Sequence, residues 1–495
     1  MINDKKLIKD RLDKKFSFRS SDFVFKRIFC FCCCFLCLFP QFFPQEFPSS
    51  SCSQTEENLT LAESLRFLPA FPEAEGFGAM SVGGRGGKII EVTNLNDRGS
   101  GSLRAAIKVN EPRTVIFKVG GTIQLDSSLE ITDPYITIAG QTAPGGGITL
   151  KNSSKNTEAP LKIKTHDVIV RYIRARPGSN PNENGNLDAL TIAGKSGKVY
   201  NVIVDHSSFS WATDEVVSTY NDLHNITIQW SIIAEGLDCS THVENGEQQC
   251  HSMGLLISSE GQKDISIHHN LLAHNRRRNP LVKVSGVVDV VNNVVYNSGF
   301  GENSFAPTHV RGDNGLSQVN YINNYFKPGV NTGSSDWFID TKYEPVEIYI
   351  EGNVVPKRVM HPKSLKWVVA NPHSAAKIIP SSAPVAYQQV LEYAGANQRL
   401  RDDGTFLINR DSIDQRIVQD VQQTTGSIID EPSQVGGWSK INSGDPYKDT
   451  DHDGMPDKYE KLYGFNPRNA SDGSEDANGD GYTNIEEFLN GSCPL

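Results

Sequence analysis

NVIVDHS (201–207) returns as NITIQWS (225–231), DISIHHN (264–270), VVDVVNN (287–293), QVNYINN (318–324) and EIYIEGN (347–353), after YITIAGQ (135–141) and DVIVRYI (167–173). Apolar residues hold the second and fourth positions of nearly every copy, the alternation of a strand with one buried face. The seventh position is Ser207, Ser231, Asn270, Asn293, Asn324 and Asn353 in the later copies. The copies recur at spacings in the twenties to thirties of residues, the range of solenoid repeats. A face that no single copy can bury becomes one core when copies stack, and stacked Asn side chains can hydrogen-bond as a ladder. A parallel β-helix follows. A β-sandwich would need hairpin turns where this chain has long Gly/Asn-rich connections.

Outward from the repeats, Leu103–Lys108 predicts a short helix capping one end of the stack, and GFGAMSVGGRGG (76–87) reads as turns beside close-packed backbone. Residues 53–75 read as a linker or lead-in. PVAYQQVLEYAG (384–395) and RDSIDQRIVQDVQQTTGSII (410–429) predict helices that fold back and cap the other end, the second followed by a strand, and Pro432–Ser443 reads as a linker. The expected organisation is a leader over 1–52, an all-β solenoid over 76–430 and a small module over 445–492.

The chain has 495 residues, with Gly 42 against Met 5, and its 48 basic and 58 acidic residues leave a formal charge of -10. That balance argues against a general nucleic-acid binder, and an acidic protein that handles an acidic polymer needs local cations. Behind a basic segment ending in Lys26 and Arg27, IFCFCCCFLCLF (28–39) has the length of a signal-peptide core and reads as an export signal. Stretched to Phe43 it would be an anchoring helix, and SSSC (49–52) offers Cys52 as a lipid attachment point. Cys239 and Cys250 flank one short polar segment. They are either free thiols or, as an oxidising compartment favours, a loop disulfide.

DTDHDGMPDKYE (449–460) and DANGDGYTNIEE (476–487) both place oxygen ligands at loop positions one, three and five, glycine at six and glutamate at twelve. The expected calcium ligands are Asp449, Asp451, Asp453, Asp457 and Glu460 in the first loop and Asp476, Asn478, Asp480 and Glu487 in the second. Met455 and Tyr482 would contribute carbonyl oxygens. Such loops are structural.

Carboxylates and arginines concentrate in residues 186–286, which suggests calcium holding an anionic substrate. DAL (188–190), VIVDHSSFSWATDE (202–215), NITIQWS and RNPLVK (278–283) followed by VSG, in that order on solenoid coils, resemble the pectate lyases of polysaccharide lyase family 1. GGRGGKIIEVTNLNDRGSGSLRAAI (83–107) and RDSIDQRIVQDV (410–421) resemble that family too, and the two acidic loops are similar to EF-hand-like and thrombospondin type 3-like modules of bacterial members. The resemblance implies a right-handed, pectin lyase-like parallel β-helix and calcium-assisted β-elimination on de-esterified polygalacturonate, an acidic plant cell-wall polysaccharide. It also implies a secreted or surface-anchored monomer. By the same resemblance Arg278 is the base that takes the proton from C5, Lys283 stands where a second arginine binds the substrate carboxylate, and Asp188 and Asp214 are calcium ligands. The chain departs from the family at Asn186 and Ser218, where aspartates are usual, and at His251 and Ser252, where a lysine is expected; His251 is then a substrate contact, and Glu215 can substitute as a ligand.

Other residues read more plainly. Arg276 and Arg277, beside Arg278, line an anionic groove. Asp205 and His206 brace a coil, while His268, His269 and His274 alternate in direction and are structural. Trp211 and Trp230 either stack on sugars or fill core. Three alternatives to a pectate lyase stand: a β-helix hydrolase, for which no paired Asp-Asp occurs on one turn of the central coils; a pectin lyase, which would need no calcium; and a non-catalytic polysaccharide-binding surface protein.

Overall fold

In the computed structural model the residues described are 68–495, apart from 184, 195–196, 259–260, 300–305 and 333–336. The leader and Cys52 lie outside them. Among the described residues no helix is long and apolar enough to cross a membrane. Among the described residues three parallel sheets of ten, nine and eight strands are built from residues 88–360. Each coil visits them in turn: Val199–Asp205 lies in the first sheet, Ser208–Ser210 in the third and Glu215–Tyr220 in the second, after which Leu223–Gln229 begins the next coil in the first. Pairing is parallel and in register, as in Ile203↔Thr227 and Thr227↔Ser266. Inward residues of all three sheets, Val204, Ile228, Phe209, Ile233, Val217 and Leu255 among them, form one continuous core. The fold is an all-β parallel β-helix.

The ladder sits at the corner between the first and third sheets. Asn270 Oδ1 accepts from the Ser231 backbone N–H at 2.9 Å, Asn293 Oδ1 from Asn270 at 3.0 Å, Asn324 Oδ1 from Asn293 at 2.9 Å and Asn353 Oδ1 from Asn324 at 2.9 Å. Each Asn amide also donates to a carbonyl one coil back, Asn293 to Ile267 and Asn324 to Val290, both at 2.8 Å. The corner residue of successive coils is left-handed: Tyr172, His206, Trp230, His269, Asn292 and Asn323 all have φ between 43° and 55°. That conformation is unusual for bulky side chains. Here the rings stack on one another along the axis, His206 on Tyr172 at 5.0 Å and Trp230 on His269 at 4.3 Å. Trp230 thus packs within the solenoid wall.

Helix α1 (Leu103–Ile107) is capped by the Ser102 hydroxyl, and its Leu103, Ala106 and Ile107 close the core at one end. Residues 70–80 are no free linker: Ala70, Phe71 and Ala74 pack on Ile169 and Ile203, and the Gly78 N–H donates to Thr227 Oγ1 at 2.9 Å. A Cβ on Gly78 would meet the Val202 carbonyl oxygen at 2.2 Å, so only glycine lets this segment lie flat on the first sheet.

The expectation that the later helices cap the far end is corrected. Helices α2 (Ala383–Tyr393) and α3 (Ser412–Gln423) lie against the outer face of the third sheet, burying Val390, Ile413, Ile417 and Val421 on Ile232, Leu271 and Val294. Third-sheet strands such as IIA and LLA are apolar on both faces, and the outer face requires a cover. Among the described residues no strand follows α3. Val359, Met360 and Trp367 pack at the far end of the core instead. Residues 432–443 are docked too, with Trp438 edge-on to Trp211 at 5.1 Å. Beyond them α4 (Asp457–Tyr463) and α5 (Asn484–Asn490) bury Met455, Tyr459, Ile485 and Phe488 against Ile116 and Ala139 on the first sheet.

Replacing a rung should therefore cost more than its own bonds. Asn293→Ala strands the Asn270 N–H in the wall, and denaturant unfolding should show a loss near the upper end of about 1–3 kcal/mol. Asn293→Ser, which keeps an acceptor as Ser231 does, should lose clearly less.

Candidate active site

The second-sheet strands of four successive coils begin at one corner, and each is preceded by a residue singled out in the sequence. Asp188 precedes Leu190–Ala193, Asp214 precedes Glu215–Tyr220, His251 precedes Met253–Ser258 and Arg278 precedes Leu281–Lys283. The last three line a cleft of about 340 Å³ together with Asn186, Glu215, Tyr220, His242, Gly185 and 243–245, and Asp188 lies against Asp214 and Glu215.

Oxygens of Asp188, Asp214 and Glu215 all lie within 4.8 Å of one another. Asp188 accepts from the Thr191 hydroxyl at 2.7 Å, from the Ser218 hydroxyl and from the Glu215 N–H at 3.2 Å. Ser218 therefore hydrogen-bonds to a carboxylate from the position where a further carboxylate was expected. Burial first, and the Asp214 charge second, push the Asp188 carboxyl up to about 8. Like charges gathered in a low-dielectric corner need a cation, and an all-oxygen trio with the Asn186 amide nearby suits a hard dication. The residues present fit calcium.

Arg278 projects from a tight turn. Its φ is 58°, its carbonyl accepts from the Leu255 N–H at 2.6 Å, and the Arg277 carbonyl accepts from Gly254 at 3.0 Å. A Cβ on Gly254 would sit 2.5 Å from Asn279 Oδ1 and 2.8 Å from the Arg278 carbonyl oxygen, so glycine admits the turn. The guanidinium forms an ion pair with Glu215 across the cleft. Burial lowers its pKa from the ordinary arginine value; Asp214 raises it, Arg311 lowers it and Asp188 raises it.

Its two neighbours are placed differently. Arg276 turns to Asp238 at 3.3 Å, and neither Arg276 nor Arg277 lines the cleft. Successive residues of a turn point in different directions, so a run of one charge in sequence is not one patch in space. Lys283 also lies outside the cleft lining, facing Asp313 at 3.6 Å, but it shares a register row with Tyr220 through Ser258 and so extends the same face. Arg311, whose charge acts on both Arg277 and Arg278, was not legible in any motif; only the strand register of Thr308–Arg311 beside Leu281–Lys283 reveals it.

The cleft's outer wall is the loop from Asp238 to His251, closed by a disulfide between Cys239 and Cys250. It brings in His242, which sequence reasoning missed. His251 Nε2 lies 3.1 Å from Asp214 Oδ1. Behind the site Asp205 is buried among Arg171, His206 and Gln229, and these partners hold it well below the usual carboxylate range despite its burial. His274 lies 3.8 Å from Asp420, and Trp211 donates to Glu235 at 2.9 Å. These groups brace coils and do not reach the cleft.

In the first acidic loop Asp451, Asp453 and Glu460 are joined by Asp472, which the loop pattern does not contain. Asp457 is outside that group, accepting from Thr450 and pairing with Lys448 at 2.5 Å. Asp449 accepts the N–H groups of His452 and Gly454 and pairs with Lys118 at 2.9 Å. Burial and the neighbouring acids push Asp453 up to about 7 and Glu460 up to about 8. In the second loop Asp476 accepts from Gly479 and Gly481, Asn478 from Asp480 and Asp480 from Tyr482, while Glu487 is pushed up to about 7, chiefly by burial.

No family model matches the chain. It is 36% identical over 447 residues to "Probable pectate lyase C" of Neosartorya fischeri, covering 88% of this chain and 96% of that protein. It is likewise 36% identical over 450 residues to the protein of that name from Aspergillus flavus, covering 88% and 97%. Among solved structures, the major allergen from cedar pollen matches 65% of this chain and 92% of its own with a TM-score of 0.45 and 17% identity. Since the similarity runs through all four coils that build the cleft and along nearly the whole length of its curated relatives, the chain belongs to the pectate lyase family.

Proposed function

We propose that the chain is a polysaccharide lyase that cleaves de-esterified polygalacturonate by calcium-assisted β-elimination in the cleft between Asp188 and Arg278. The pectate lyase relatives, matched over 96% of their length, support the reaction class. The observation that carries the site is the facing of a carboxylate trio and an arginine across one cleft. Asp188, Asp214 and Glu215 would hold calcium. An ion held there would supply Lewis-acid stabilisation of the charge that develops when the proton leaves the substrate carbon.

The chain's own residues do the rest. Arg278 is the base. A guanidinium is a poor one at its ordinary pKa, and burial lowers that barrier by disfavouring the charged form. In the resting site Glu215 pairs with the guanidinium, and a substrate carboxylate would compete with Glu215 for it. Arg311 and Lys283 extend positive charge along the neighbouring strands toward the uronates on either side of the scissile bond. His251 stands beside Asp214 on the cleft wall, a position from which its ring would contact a bound sugar. The protein is read as an exported monomer. Its domains are a leader over 1–52, the catalytic solenoid over 76–430 and a calcium-loop module over 445–492 whose role is to clamp the first sheet.

Incubation with polygalacturonate should yield products with the ultraviolet absorbance of unsaturated uronides, and a chelator should abolish it. Absorbance-silent depolymerisation would mark a hydrolase, and chelator-resistant activity a pectin lyase. Arg278→Ala should lower kcat/KM by about 10²-fold or more. Because the neutral base is the active form, kcat/KM should climb as pH rises from neutral into the alkaline range; a flat profile would exclude a guanidine base.

The acidic loops give a second outcome. Asp453, Glu460 and Glu487 have folded pKa values of about 7, 8 and 7, above the about 4 of the unfolded chain. Metal-free, the folded form binds protons that the unfolded form has released, so stability should fall between pH 5 and 8. The gain in Tm on adding calcium should be larger at pH 8 than at pH 5, and Asp453→Asn should shrink it.

A further inference from the structure

Three donors at the outer wall of the cleft are of a different kind from the carboxylate trio. His242 and His251 stack with ring centroids 4.0 Å apart and 12° between planes, and Asp214 Oδ1 faces both, 3.1 Å from His251 Nε2 and 3.9 Å from His242 Nδ1. Ligand atoms of the three residues lie within 4.8 Å of one another. The His242 side chain is only 4% exposed, and its Nδ1 has no hydrogen-bond partner. His251 Nε2 approaches Asp214 without hydrogen-bond alignment and is likewise without one. What sets this pair apart is that both unpartnered nitrogens face one carboxylate, and buried polar atoms without a partner call for an explanation.

We propose that Asp214, His242 and His251 form a binding site for an imidazole-preferring divalent transition cation of the zinc or cobalt class, distinct in chemistry from the calcium site and coupled to it through Asp214. Calcium takes oxygen ligands, whereas imidazole suits the later first-row metals. Two neutral rings and one carboxylate give a mixed N/O set of the kind those metals accept. The two rings come from either end of the loop that the Cys239–Cys250 disulfide closes, so their backbone is held while the side chains turn. One ring must turn about its Cβ–Cγ bond, because parallel stacked rings cannot aim both lone pairs at one ion.

Asp214 belongs to both donor sets. A cation held by the histidines takes that carboxylate from the trio, and by linkage each metal weakens the other's binding.

The test uses the disulfide-intact protein, freed of metal and then equilibrated with calcium to fill the oxygen-ligand loops. Titration with cobalt(II) should give one equivalent of binding with a visible absorption band, and zinc should displace it. His242→Gln and His251→Gln, each checked for unchanged thermal unfolding, should weaken cobalt binding at least tenfold. Raising calcium should shift the cobalt isotherm of the wild type to higher concentration. No absorption band in the wild type, or binding that survives in both variants, overturns the site. Cobalt binding that ignores calcium overturns the coupling. None of these readouts depends on turnover, so failure here and failure of the lyase assignment are separable.

Discussion

The structure depends on the asparagine ladder between the first and third sheets. A strand in a parallel stack has no hairpin partner to fix its register, and a slip by one residue would turn every core side chain outward. Asn270, Asn293, Asn324 and Asn353 prevent the slip by tying each corner to the next with both backbone and side-chain bonds. Because coils lie about 4.8 Å apart, one fixed corner fixes the others. The active cleft is read off the same ruler. Its residues come from four successive coils, and Arg278, two coils beyond Glu215, spans about 9–10 Å to it with two long side chains.

The ladder also explains the bulky residues in left-handed conformations. A corner residue must turn the chain there, and asparagine does so readily at 292 and 323. At 172, 206, 230 and 269 tyrosine, histidine and tryptophan do so instead, and their stacked rings offset the strain of the turn. Buried His269 is consequently held far below the ordinary histidine range, first by desolvation and then by His268, and stays neutral.

Much of this was legible in the sequence because it is periodic or local. The alternation within 201–207 and its copies gave the coils, the seventh position gave the ladder, and RNPLVK located Arg278. What escaped was long-range. Nothing near Arg276 announces Asp238, and nothing near Asp451 announces Asp472. Helices α2 and α3 were visible as amphipathic segments, but their place on the third sheet depends on outward apolar residues in three-residue strands too short to show a period. His242 sits in a polar loop where a lone histidine carries no signal, and only the disulfide-closed path of the loop sets it against His251.

The docking of the acidic loops couples the two ends of the described chain. Lys118 pairs with Asp449, Arg85 with Glu486, and Ile116 and Ala139 share a core with Phe488 and Leu489. During synthesis the first coils therefore emerge with their outer face bare, and they wait for the whole solenoid to be made before residues 449–489 can cover them.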